Sequence, residues 1–151
     1  MVQKLLLLAL AFSLCVAFAV SQQVRGGDWT SLILNNNNTR YQANSTINSS
    51  NIANITQAWV INTNSFITST PMVLNGNVYF TDWNGNVYSA GMANGTVNWK
   101  ASLDSSSEGI SSTVLLEGGM VYVAYGPLGP ESVAALYQSN GTTAWVTALN
   151  T

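Results

Sequence analysis

Two stretches of this chain carry the same pattern at a fixed interval. "NGTVNW" starts at Asn94 and "NGTTAW" at Asn140, so Gly95 and Gly141 lie 46 residues apart, as do Trp99 and Trp145. Upstream, Tyr79 and Tyr122 are 43 apart. The difference of three falls in "GPLGPE", a loop that replaces the tight Asn84-Gly85 turn. Self-similarity at 40–50 residues restricts a chain to architectures that stack one small unit on the next.

The unit is a meander of four strands. "PMVLNG" is a short strand stopped by Asn-Gly, and "NVYFTDW" alternates Val78, Phe80 and Asp82 against Tyr79, Thr81 and Trp83. Asn84-Gly85 is a hairpin signal, because a type I′ turn needs positive φ at both central residues. "NVYSAG" returns, Asn94-Gly95 turns again, and "TVNWKAS" is outermost. The second copy follows with a strand near 112–116, a Gly-Gly turn, "MVYVAY", "SVAALYQ", Asn140-Gly141 and "TTAWVTA". Four strands per repeat of this length mark a β-propeller blade. The expected fold is all-β: blades over 69–103 and 111–149, forming an incomplete ring. Trp59 in "QAWVINT" precedes Trp99 by 40 residues and matches the last strand of a blade that has no other strands before it. The segment 57–63 is therefore expected to be a lone closing strand, which fastens a ring by pairing with its last blade.

The rest of the chain sets its address. "MVQKLLLLALAFSLCVAFAVSQQ" has one cation, an apolar run from Leu5 to Val20 and small residues Ala19 and Ser21 before Gln22. That is the layout of a secretory signal peptide over 1–21, and the run is shorter than the roughly 20 residues of a membrane span. The expected product is secreted, with no membrane association after cleavage. Its one cysteine, Cys15, falls inside the signal, and there is no histidine. Disulfides, thiol nucleophiles, zinc sites and His-dependent catalysis are thereby excluded from the mature chain. Only 7% of residues are charged and Lys+Arg number 4, which argues against a nucleic-acid surface. The segment 22–56 is Asn-rich and carries sequons at Asn37, Asn44, Asn48 and Asn54; two more start at Asn94 and Asn140. All six are candidate N-glycosylation sites in a eukaryotic host.

At these residues the chain resembles a known family. Arg40-Tyr41 ahead of a "TIN..NI" segment, "ITSTP" opening the first blade, and "VYFTDWNGNVYS" are similar to the N-terminal region of pyrroloquinoline-quinone (PQQ) dehydrogenase-type propellers, in the polyvinyl-alcohol-dehydrogenase-like branch. So is the blade-closing pattern Ala-x-Asp-x-x-Thr-Gly-Lys-x-x-Trp, met at Gly95 and Trp99 and again at Ala135, Gly141 and Trp145. The resemblance implies that Trp59, Trp99 and Trp145 dock each blade on the glycine of a neighbour. The chain departs from the pattern at Ser89, in place of Ala; at Gly91 and Tyr137, in place of Asp; and at Thr96 and Thr142, in place of Lys. A ring of about eight blades is implied, of which two and a strand are present, so the remaining blades are the first expected partner.

The resemblance also implies chemistry: an alcohol oxidoreductase with PQQ and calcium as cofactors, a carboxylate base, and hydride transfer to the quinone. The family's adjacent cysteines are absent and no catalytic residue is identifiable. Glu108, Ser112, Thr68 and Thr70 sit where the first strands of the blades begin and are the candidates for facing a ligand, an alcohol or a glycan. Asp82 reads as turn support. Trp83, Tyr79, Tyr88 and Tyr122 read as packing between sheets rather than as a sugar platform. Two functions compete: the N-terminal part of a secreted quinoprotein oxidoreductase, inactive by itself, and a non-catalytic secreted propeller that binds or scaffolds.

Overall fold

The computed structural model describes residues 27–32, 34, 39–42, 45–103, 109–126 and 131–149. Segment 1–21, Asn37, Asn44 and Glu108 lie outside them. The described chain is all-β apart from one 3-10 turn, Ile52–Asn54. Strands β1 (Met72–Leu74), β2 (Asn77–Thr81), β3 (Asn86–Gly91) and β4 (Val97–Ser102) form one antiparallel sheet in sequence order. Strands β5 (Leu115–Glu117), β6 (Met120–Tyr125), β7 (Ser132–Tyr137) and β8 (Thr143–Ala148) form a second. The registers match position by position: Tyr79, Ser89 and Trp99 align across the first sheet as Tyr122, Ala135 and Trp145 do across the second. Each sheet also has a bulge between its third and fourth strands, at Ser89/Ala90 and at Ala135/Leu136. Two such sheets make two blades of a β-propeller that is not closed among the described residues.

Turn geometry differs from the sequence expectation at one place. Positive φ at both central residues occurs at Asn75-Gly76 (52° and 75°) and Gly118-Gly119 (57° and 78°), the turns that join the first two strands of each sheet. At Asn84-Gly85 only the glycine is left-handed. There the Asp82 carboxylate accepts from the Asn84 and Asn86 backbone N–H groups, and Gly85 N–H donates to the Asp82 carbonyl. A side chain thus closes the loop in place of a two-residue type I′ turn.

Packing follows from the alternation. One face of the first sheet, with Met72, Leu74, Tyr79, Val87 and Trp99, packs on Leu116, Val121, Val123, Ala134 and Leu136 of the second. Fully burying one such side chain stabilises by about 1.5–3 kcal/mol. Val78, Phe80, Tyr88 and Ala90 point the other way and meet Trp59 and Ile61. Because β2 and β3 are covered on both faces, they are buried at nearly every position, whereas β8 is exposed throughout.

The segment 57–63, expected as a strand, forms no ladder with any described residues. Among the described residues it is held by its side chains, and its backbone edge has no partner there. The sequence reading had no role in the ladder for Trp29. This residue bridges to Val73, each N–H donating to the other's carbonyl at 2.8 Å, and so adds a pair to the inner edge of β1. The Asp28 carboxylate beside it accepts from Asn75 N–H.

Candidate functional site

The first strand of each blade is entered through a Ser-Thr pair, Ser69-Thr70 and Ser112-Thr113. Both pairs lie at the end of the sheets that carries the β2–β3 turn. Ser69 Oγ donates to the Thr81 carbonyl at 3.2 Å, and Ser112 Oγ donates to the Ala124 carbonyl at 2.6 Å. Thr70 N–H donates to Thr113 Oγ1, which ties one entry to the next. Thr81 Oγ1 lies within reach of the Ile110 and Ser112 carbonyls. The residues singled out in the sequence, Thr68, Thr70 and Ser112, are thus brought to one end of the molecule. The Ser112 hydroxyl is committed to a backbone carbonyl and serves the fold.

Asp82 lies under the same end and is fully buried. Besides the two backbone N–H groups, its carboxylate accepts from Asn86 Nδ2 at 3.0 Å and Tyr88 OH at 2.8 Å. Charge-assisted hydrogen bonds of this kind replace the water a carboxylate loses on burial. Burial and the Asp82 carboxylate together push the Tyr88 phenol well above its ordinary range. A neutral Tyr88 therefore holds its proton toward Asp82, stacks on Phe80 at 4.8 Å between ring centres, and lies under Lys100 Nζ. Asp82 is turn support, with every donor around it spent on the loop.

Trp83 departs from its expected place in the core. It is 42% exposed, donates from Nε1 to Thr68 Oγ1 at 2.9 Å, and meets Phe66 edge-on at 6.4 Å. Its backbone leaves no room for a side chain at Gly109, where an added Cβ would come within 2.5 Å of it. The exposed rings of Phe66 and Trp83 beside Thr68 are the surface this end offers. Sequence alternation placed Trp83 on a packed face, but β2 stops at Thr81 and the turn re-aims the side chain.

At the opposite end, the tryptophans meet the glycines. Trp59 lies over Gly95, where an added Cβ would stand 2.7 Å from its ring, and its Nε1 donates to the Met92 carbonyl at 2.8 Å. Trp99 repeats both features one blade on. An added Cβ at Gly141 would stand 2.5 Å from its ring, and Nε1 donates to the Gln138 carbonyl at 2.9 Å. Trp145 carries the same tilted contact to Tyr122 that Trp99 makes to Tyr79, 6.1 Å between centroids in each, but is 44% exposed.

That repeated tryptophan-on-glycine contact is the one the resemblance implied. The family model described as the PQQ glucose/ethanol/alcohol dehydrogenase beta-propeller domain matches residues 29–126. The chain belongs to this family. Solved structures share its fold. A quinohemoprotein alcohol dehydrogenase from Comamonas testosteroni is 23% identical with a TM-score of 0.72, over 80% of this chain and 19% of that one. A europium-containing methanol dehydrogenase is 18% identical with a TM-score of 0.52, over 83% and 32%. BamB from Moraxella catarrhalis is 19% identical with a TM-score of 0.53, over 62% and 27%. The chain thus spans between about a fifth and a third of the length of these three structures. No curated protein sequence matches it.

The names of two of these structures, with the family's, point to a quinone and a metal. Calcium takes six to eight oxygen ligands, several of them carboxylates. Among the described residues no group of three or more His, Cys, Asp and Glu could hold a metal. The Asp82 carboxylate is saturated by the loop, and Ser112 Oγ is bonded to a carbonyl. The described residues do not make a quinone–metal site, and no chemical step is assigned to them. Among them, too, no helix is long and apolar enough to cross a membrane. The sequons at Asn48, Asn54, Asn94 and Asn140 are all exposed.

Proposed function

We propose that this chain is the N-terminal part of a secreted PQQ-type oxidoreductase acting on alcohols, in the polyvinyl-alcohol-dehydrogenase-like branch. In this reading, signal 1–21 is removed and the exposed sequons accept glycans. The two blades act as a docking start for the blades that carry quinone, calcium and base. One observation carries the reading: the family match over residues 29–126, with Trp59 and Trp99 each seated on a neighbouring glycine. The exposed Trp145 is the third member of that series, and it fits a further blade.

The reading is tested by PQQ titration in calcium, with the quinone absorbance as signal. A longer form of the protein that contains these blades is expected to take up quinone stoichiometrically and to reduce an electron-accepting dye with a primary or secondary alcohol. The 151-residue chain alone is expected to do neither. Quinone-free behaviour of the longer form would leave a non-catalytic propeller; turnover by the short chain would refute the assignment of catalysis to other blades.

A further inference from the structure

A cleft lies between the blades, at the docking end and away from the Ser-Thr entries. It is an open cleft of about 340 Å³, within the range of small-molecule sites, and its polar lining comes from Asn77, Ser89, Asn98, Gln138 and Ser139. Asn98 Nδ2 donates to Asn77 Oδ1 at 2.8 Å and reaches Ser89 Oγ at 3.3 Å. The rings of Tyr79 and Trp99 complete the lining, and no formally charged side chain joins it among the described residues.

The repeat supplies its own control. By strand register, the second blade has Met120 where the first has Asn77, and Ala135 where it has Ser89. At the bulge it has Ala144 in place of Asn98. The turn that receives Trp59 has Met92 and Ala93 where the turn receiving Trp99 has Gln138 and Ser139. All five polar residues of the cleft therefore stand where the other copy of the same fold carries an apolar one. The fold does not require them. Ser89 is also where the chain departs from the alanine of the family's blade-closing pattern.

One of the five is left incomplete. Gln138 is pinned at its backbone, with N–H donating to the Gly119 carbonyl and the carbonyl accepting from Trp99 Nε1. Its side-chain Nε2 is buried and has no hydrogen-bond partner among the described residues. Buried amide donors are rarely left so, and each exception calls for a reason.

From this we infer that the cleft between the two blades binds a small neutral polyhydroxylated molecule, a sugar or polyol. Amides and hydroxyls supply both donors and acceptors at close spacing, as vicinal hydroxyls require. The uncharged lining offers nothing to neutralise an ion.

The test is saturation-transfer NMR on the full 151-residue chain with D-glucose, D-galactose and glycerol as probes. Saturable transfer is expected for at least one of them. Asn98→Ala and Gln138→Met, which install the residues of the other repeat, are each expected to weaken it about tenfold. Near-UV circular dichroism checks that each variant keeps its packing, and the exposed Asn98 makes the first the safer of the two. Absence of saturable transfer from all three probes would overturn the proposal, as would wild-type affinity in both folded variants.

Discussion

At the scale of single residues, the tryptophan–glycine contact is the most demanding feature of the chain. Gly141 is left-handed at φ 72°, and an added Cβ would stand 2.5 Å from the Trp99 ring. Gly118 is also left-handed, at φ 57°, with nothing within 4 Å of an added Cβ. Gly118→Ala incurs the backbone strain alone, about 1–2 kcal/mol. Gly141→Ala adds the displacement of a packed indole, and overpacking of this kind costs about 1–3 kcal/mol more. Urea denaturation followed by tryptophan fluorescence is expected to rank Gly141→Ala clearly below Gly118→Ala. Equal losses would mean that Trp99 does not rest on Gly141. The recurrence of the glycines and tryptophans was legible from their spacing, while the contact between them was implied only by the family resemblance. The place of Ser89 in the cleft was not, because the sequence shows its departure from the pattern but not the neighbours it meets across the blades.

At the scale of elements, the hairpins were legible and the edges were not. Strands β2, β3, β6 and β8 lie where alternation and Asn-Gly or Gly-Gly turns put them, because those signals are local. Trp29 bridging to Val73 is a contact across more than forty residues with no periodicity to announce it. The type of the Asn84-Gly85 turn was hidden for a similar reason: the buried Asp82 carboxylate decides it, and burial is a tertiary property. The segment 57–63 separates these cases sharply. None of its backbone N–H groups donates to a described residue, yet Trp59 Nε1 donates to the Met92 carbonyl. Hydrogen exchange is expected to show fast backbone amides across 57–63 beside a slowed Trp59 indole N–H, with β3 amides slow. Amides in 57–63 as slow as those of β3 would reveal a pairing partner for the strand.

At the scale of the whole molecule, both flanks of the blade pair are unfinished in complementary ways. Register equates Leu115, Tyr122 and Trp145 on the outer face of the second blade with Met72, Tyr79 and Trp99. Those three are core in the first blade, at 0%, 4% and 9% exposure, whereas Leu115 and Trp145 are 55% and 44% exposed. The difference is the absence of a following sheet from the described residues. On the other flank, Trp59, Ile61, Ile67, Pro71, Val78 and Phe80 line an apolar groove of about 210 Å³. Contiguous apolar surface of this kind, next to unpaired strand edges, drives association in water. The isolated 151-residue chain is therefore expected to self-associate as its concentration rises, seen by sedimentation velocity. Trp145→Glu places a charge where a further blade would dock and is expected to shift the distribution toward monomer. It should leave the Trp99 contact and the thermal stability of the blade pair nearly unchanged, because Trp145 is 44% exposed and its ring contact is to Tyr122 of its own sheet. A wild-type chain that stays monomeric at all concentrations would show that the outer face of the second blade is already covered. It would count against its role as the seat of a third blade.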